Sequence, residues 1–266
     1  MMRYDRIIKK ANRSTVEMSN LKDELANLRK HNDTLLSALN GMMHEVRRFS
    51  GELSDYAEKI CRLTTDQPGR IKELSDTIYF TSGMLASRLA FTDIELNPAA
   101  IRLQNKIRTG IYKKIDKSRH ILLNRAQSKQ IRINFKGNSI KEFDAIEAFE
   151  LVPFVILDNA IKYSPANRDI DILFNEQNKE LEVSIKSCGP KVELEELTNI
   201  FKKGFRGCNG ASAASAGDGL GLYFAQTLCD LSSVNISAKS NQQVQFELGG
   251  IGYSMFEVNL KKRFSS

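Results

Sequence analysis

The sequence predicts an α+β protein in two parts: a long N-terminal helical hairpin over residues 1–100, then an α/β two-layer sandwich over residues 101–266. Three observations carry this. Apolar residues recur at 3-4 spacing from Met18 to Leu63, short alternating runs follow in the second part, and one apolar helix from about Leu151 to Tyr163 stands among those runs.

In the first part, Met18, Leu25, Asn32, Leu39, Val46, Leu53 and Ile60 form one row, and Leu21, Leu28, Leu35, Met42, Phe49, Tyr56 and Leu63 the other. These are a and d positions of consecutive heptads, and only Gly41 and Gly51 interrupt good helix formers. At ~1.5 Å per residue the helix reaches on the order of 70 Å. A lone helix cannot bury such a seam, so the pattern predicts a homodimeric coiled coil, with Asn32 fixing its register. Thr64-Thr65-Asp66-Gln67-Pro68-Gly69 is turn chemistry. Ile71, Leu74, Ile78, Leu85 and Leu89 make a second apolar face, and two such hairpins make a four-helix bundle. His44 falls at an f position, off the seam, followed by Glu45.

Asn97-Pro98-Ala99-Ala100 marks the boundary between the parts. Beyond it the patterns predict a short strand-like run at Gly110 to Tyr112 and a helix near Lys117 to Ser128. Strands are expected at 131–135, 170–174, 181–185, 234–238 and 253–260. Pro153 suits the first turn of the helix near Leu151, and Pro165 stops it. Val155, Asn159, Lys162 and Tyr163 then share one helix face. An Asn carbonyl, a cation and a flat amphipathic ring are a fitting inventory for a magnesium nucleotide. Further on, Gly217-Asp218-Gly219-Leu220-Gly221-Leu222 precedes a helical pattern, an arrangement that lets backbone N–H groups approach phosphates. The run from Gly207 to Gly219 is small and Gly/Ala/Ser-rich and reads as a lid that orders over nucleotide.

These motifs, in this order, resemble the N-box and second glycine box of the histidine kinase ATP-binding domain, of the gyrase/Hsp90/kinase/MutL superfamily. Ser184 to Val192, with Ser187, Cys188, Gly189 and Pro190, is similar to its first glycine box, and Ile200 to Gly207 to its phenylalanine motif. His44-Glu45-Val46-Arg47 resembles the H-box of the dimerisation and phosphotransfer domain. The resemblance implies a Bergerat-type ATPase sandwich and an ATP- and Mg-dependent protein histidine kinase. His44 is then the phosphoacceptor and Glu45 its base, and Asn159 is the magnesium ligand. Lys162, Gly217, Gly219, Leu220 and Gly221 lie at the phosphates, Tyr163 packs on the nucleotide, and Ser187 and Gly189 lie at the base. The implied partners are a second copy, a response-regulator receiver domain and an upstream sensor protein.

Three departures carry meaning. Where the family has Thr or Asn four residues after the histidine, to orient water for phosphatase action, this chain has Arg48, and Phe49 replaces the kinking proline that follows. Where the family has an Asp reading the adenine amino group, this chain has Ser187, and Lys191 replaces the next glycine. Val155 replaces the first N-box asparagine. The last two losses favour the alternative, a nucleotide-binding pseudokinase dimer acting as a non-catalytic scaffold.

Bulk properties set the remaining bounds. The chain has 266 residues, 41% hydrophobic, enough for one or two cores. It shows no signal-peptide pattern and no apolar run near the ~20 residues of a membrane span, so it reads as soluble and cytoplasmic. The four cysteines have no metal spacing and read as ordinary thiols. The net charge of +7 is concentrated: between Arg102 and Arg132 there are ten Lys/Arg against the single acidic Asp116. No nucleic-acid motif accompanies this segment, which reads as a solvated basic face.

Overall fold

The structure is a computed structural model that describes residues 2–62, scattered residues between 69 and 92, and residues 105–213 and 219–264. Contacts divide the chain into residues 1–51 and 52–266. The turn expected at Thr64 to Gly69 lies outside the described residues except for Gly69, and the boundary at Asn97 to Ala100 lies outside them entirely.

Helix α1 runs unbroken from Met2–Arg62, through both glycines. Its seam residues Met18, Leu21, Leu25 and Leu28 are all at least half exposed on the single chain. Further along, Leu53, Tyr56 and Ile60 are half-buried. Ile71, Leu74, Ile78 and Leu85 are helical and half-buried, while Leu89 is helical and exposed.

The rest is α+β. The elements in order are β1 (Lys106–Gly110), α2 (Ile111–Ser128), β2 (Arg132–Lys136) and β3 (Glu142–Ile146); a 3-10 turn leads into α3 (Leu151–Tyr163). Then come β4 (Asp169–Gln177), β5 (Glu180–Pro190), α4 (Leu194–Leu197), α5 (Cys208–Ala213), α6 (Gly221–Leu231), β6 (Asn235–Ser240), β7 (Phe246–Leu248) and β8 (Ile251–Arg263). The main sheet has the order β2-β4-β5-β8-β6, with β7 added on β8, and β1 pairs β3 in a separate ribbon. β2 and β4 are parallel, and the other pairs are antiparallel.

One face of the sheet is apolar because the strands alternate. Ile172 faces Ile185, Ile185 faces Val258, Val183 faces Leu260, and Leu260 faces Ile236. This face packs on α2, α3 and α6, which bury Ile115 and Leu122, Val152 and Ile156, and Phe224 and Leu228. The other face carries a charge lattice, with Arg132 on Asp169, Lys136 on Asp171 and Lys186 on Glu257. Among the described residues these helices pack on one side and charged side chains cover the other, which explains the clean alternation of the strands.

Two sequence expectations require correction. Gly110 ends a strand rather than beginning one, and α2 starts at Ile111, six residues before the expected Lys117. Ile111, Ile115, Ser118, Leu122 and Ala126 form its buried stripe, so helical packing overrides the β-branched start. The basic segment is largely exposed, as expected, and many of its charges are paired on that surface. Lys114 and Lys117 share Glu150, Lys113 meets Glu142, Arg119 meets Asp116, and Arg108 approaches Glu142 and Asp144. Among the described residues, no helix is long and apolar enough to cross a membrane.

Candidate functional site

Helix α3 lies between α2 and α6 and against β5. Eight of its thirteen residues are buried, including Pro153, which sits in the first turn as expected. Asn159, Lys162 and Tyr163 are half-buried, on the part of the helix nearest the end of β5 and the start of α6.

Helix α6 meets that face with its N-terminus. A Cβ on Gly221 would lie 3.0 Å from Val155 Cγ1 and 3.4 Å from Asn159 Nδ2, so any side chain here would crowd α3. The first intrahelical bond of α6 is Phe224 N–H to the Leu220 carbonyl, 3.0 Å. The N–H groups of the first turn are therefore orphan donors, and among the described residues no side chain caps them. Leu220 is the N-cap residue and is half-buried. Gly219 lies just before it at φ +67, where a Cβ would fall 2.5 Å from the Phe205 carbonyl oxygen. Gly217 and Asp218 lie outside the described residues.

Tyr163 bridges two further parts. Its Cβ lies 3.9 Å from where a Cβ on Gly189 would stand, near the carboxyl end of β5, and its Cε1 lies 3.8 Å from the same point on Gly210, in α5. Lys162 Nζ stands 5.1 Å from the centre of the Tyr163 ring. Burial pushes the Tyr163 hydroxyl up, and the nearby Arg206 charge opposes this. Asp158, next to Asn159, is ion-paired with Arg125 of α2. Burial pushes its carboxyl up, against the pull of Arg125, Lys162 and Lys129.

Ser187 is buried and lies on the helix side of β5, in register with Phe256 of β8. Gly189, two residues on, pairs with Ser254, whose side chain is wholly buried and whose Oγ lies 3.3 Å from Ser240 Oγ. Ser240 in turn accepts the Val192 N–H at 3.3 Å. Three hydroxyls thus lie on the helix side of the sheet at this end. Sequence reasoning missed Ser240 and Ser254, since only strand register brings them level with the first glycine box. Cys188 points to the opposite face, towards Gln245, and burial pushes its thiol up.

The short helix α5 was also missed. Glu196 holds it from twelve residues upstream: one carboxylate oxygen accepts the Cys208 N–H at 2.9 Å, the other the Glu193 N–H at 3.2 Å. Burial works against this carboxylate, but those donors hold it below the usual range. Asn209 donates to the Lys191 carbonyl at 2.8 Å, tying α5 to the end of β5.

The structure thus brings together Asn159, Lys162, Tyr163, Ser187, Gly189, Gly219, Leu220 and Gly221 around one end of β5, α3 and α6. His44 and Glu45 lie within α1, where the backbone is helical and their side chains are outside the description. His120 is exposed, its Nδ1 2.8 Å from the Asp116 carbonyl oxygen.

A mainly antiparallel sheet packed on helices, with a glycine-headed helix docked on an asparagine-bearing one, makes a two-layer α/β domain. Residues 146–262 match the model of the histidine kinase-, DNA gyrase B-, and HSP90-like ATPase family. Among curated relatives, the signal transduction histidine-protein kinase ArlS of Staphylococcus aureus (strain USA300) is 23% identical over 218 residues. That alignment covers 81% of this chain but only 45% of the relative's length. Among solved structures, full-length ShkA in complex with AMPPNP aligns with a TM-score of 0.50 at 16% identity, over 77% of this chain and 40% of that one. The catalytic domain of histidine kinase ThkA aligns with a TM-score of 0.47 at 17% identity, over 59% of this chain and 95% of that one.

Proposed function

We propose that this chain is the core of a dimeric, cytoplasmic, two-component protein histidine kinase, with residues 1–100 as the dimerising phosphotransfer hairpin. It would transfer the γ-phosphoryl of MgATP to His44 and from there to an aspartate of a separate response-regulator receiver domain. An upstream sensor protein would supply the input. The observation that carries the nucleotide half of this reading is the docking of Gly221 onto Asn159, which sets a row of orphan N–H donors beside the Asn159 side-chain amide. A polyphosphate and its metal need that combination.

The residues fit MgATP. The uncapped N-terminus of α6 and the Gly219 turn would hold phosphates, with Lys162 adding charge and Gly217 completing the loop. Asn159 would be the protein's ligand to magnesium. Among the described residues no three His, Cys, Asp or Glu side chains gather as a metal cage. Magnesium bound with a nucleotide would also take phosphate oxygens and water as ligands, as that ion prefers. Tyr163 would pack on the nucleotide, with Ser187 and Gly189 at the base. When bound, magnesium neutralises charge developing on the transferred group, and the chain's part is positioning. Glu45 would take the other ring proton of His44 and so raise its nucleophilicity. The exposed seam of α1 fits burial in a second copy.

One observation favours a second reading, a nucleotide-binding pseudokinase scaffold. Val155, buried against Gly221, puts a methyl group where an amide would add a ligand. Incubation with γ-labelled ATP decides between them. Acid-labile label on the chain supports the kinase, and nucleotide binding without label supports the scaffold.

A further inference from the structure

The C-terminal carbonyls of α3 converge on one side chain. Lys129, the residue after α2, places Nζ 2.8 Å from the Ile161 carbonyl oxygen, 2.8 Å from that of Lys162 and 2.9 Å from that of Ser164. An ammonium has three hydrogens, so these bonds saturate it. The Lys129 carbonyl also accepts the Asn167 N–H at 2.9 Å, and Asn167 stands in the left-handed region at φ +60. One residue therefore closes the end of α3 from both sides. The helix's own cap, Ser164 N–H to the Ala160 carbonyl at 3.1 Å, satisfies only one acceptor. The negative end of a helix dipole favours a cation at this place. Lys129 is half-buried, and burial pushes its ammonium down, so the position costs the charge hydration that the carbonyls must replace.

Those carbonyls belong to the residues around Tyr163, and one is that of Lys162 itself. Any unwinding of this last turn swings both side chains. Lys262 of β8 offers a built-in comparison. It caps α6 in the same way, with Nζ 3.0 Å from the Ser232 and Ser233 carbonyl oxygens. The candidate site residue of α6, however, is Gly221 at the opposite end, about 15 Å away along the axis at 1.5 Å per residue.

We propose that Lys129 is a positioning residue for the nucleotide: its ammonium fixes the last turn of α3 and thereby sets Lys162 and Tyr163 in their binding geometry. This rests on the nucleotide reading above. The test is calorimetric titration of MgATP into the full chain, as wild type, Lys129→Met, Lys129→Arg and Lys262→Met. Thermal unfolding and amide hydrogen exchange over residues 160–168 accompany it. Lys129→Met is expected to bind about tenfold more weakly, ~1.4 kcal/mol, with faster exchange in that segment. Lys129→Arg, which keeps charge and donors, recovers most of the affinity. Lys262→Met lowers the unfolding temperature comparably yet binds within about twofold of wild type. Unchanged affinity in Lys129→Met, or an equal loss in Lys262→Met, overturns the proposal while leaving the nucleotide reading intact. A wild type that binds no MgATP overturns both. Should Lys129→Met not fold, Lys129→Gln, which keeps two amide hydrogens but no charge, is judged by the same criteria.

Discussion

Gly204 donates its N–H to the carbonyl of Gly219 at 3.1 Å, and both glycines stand in the left-handed region, at φ +74 and +67. This bond ties the turn that leads into α6 to the phenylalanine motif. A Cβ on Gly219 would lie 2.5 Å from the Phe205 carbonyl oxygen and 2.7 Å from the Gly204 carbonyl carbon, both backbone atoms that cannot step aside. Gly219→Ala should therefore open this junction and weaken MgATP binding by at least about tenfold. The sheet core, remote from it, should unfold at nearly the wild-type temperature. Calorimetry and a thermal melt read the two effects, and wild-type affinity would show that the junction does not shape the phosphate loop.

The elements legible in the sequence are those whose pattern is set by one buried face. α3 has apolar residues on nearly every side and a proline at each boundary, and β4, β5 and β8 alternate because one face of the sheet is wet. β1 and β3 escaped because Lys106-Ile107-Arg108 and Glu142-Phe143-Asp144 are charged at alternate positions and stabilise each other only as a pair. α5 escaped because Cys208 to Ala213 has no apolar stripe, and its N-terminal cap comes from Glu196. At the candidate site, the asparagine helix and the glycines were legible as motifs. The buried hydroxyls of Ser240 and Ser254 were not, since strand register over long sequence distances places them.

Removing the proposed acceptor and removing the proposed metal ligand should separate two steps. His44→Gln should abolish acid-labile labelling from γ-labelled ATP and keep nucleotide affinity, because the heptad register sets position 44 off the seam. Asn159→Ala should abolish labelling by removing the side-chain carbonyl ligand, with magnesium-dependent ATP binding lost as well. Full labelling of the first variant removes His44 as acceptor. Normal activity in the second removes Asn159 from the site.

Arg48 predicts an enzyme that works in one direction. A guanidinium has no acceptor and cannot take a proton from water or orient it as a neutral Asn or Thr does. A phosphorylated partner regulator should therefore lose phosphate no faster in the presence of this chain, with or without ADP. Phosphate release followed over time reads this directly, and a clear acceleration would contradict it.

Glu196 should act as a latch on α5. Its carboxylate accepts the N–H groups of Cys208 and Glu193 at once, and an amide oxygen in Glu196→Gln is a weaker, uncharged acceptor. The substitution should destabilise α5 by about 1 kcal/mol, the usual size of a lost cap, seen as faster amide exchange over residues 208–213. The pH dependence has a definite sign. Those donors depress the folded-state pKa of this carboxyl, so its contribution is present above the ordinary glutamate range and is lost as pH falls through the depressed value. Exchange corrected for intrinsic rate should rise in acid for wild type and change less in Glu196→Gln. Equal behaviour of the two would mean that α5 is held elsewhere.

The hydroxyl at Ser187 bears on which base is read. It is buried on the helix side of β5, in line with Gly189, where the resemblance places a carboxylate that accepts the adenine amino hydrogen. A charge-assisted bond there contributes roughly 1.5–3 kcal/mol, against ~1 for a neutral pair. Serine is also shorter and would reach the base through water. Because a hydroxyl donates as well as accepts, it penalises the guanine carbonyl less than a carboxylate would. The wild type should therefore bind ATP weakly and discriminate poorly against GTP. Ser187→Asp should tighten ATP about tenfold, ~1.4 kcal/mol, and sharpen selectivity. It should also lower the stability of the free protein, because a carboxylate must then be buried before any base arrives to meet it. Titration of both nucleotides into both forms, with a thermal melt of each, reads all three effects. A wild type that binds ATP tightly and ignores GTP would mean that another residue reads the base, with the buried Ser254 the next to test.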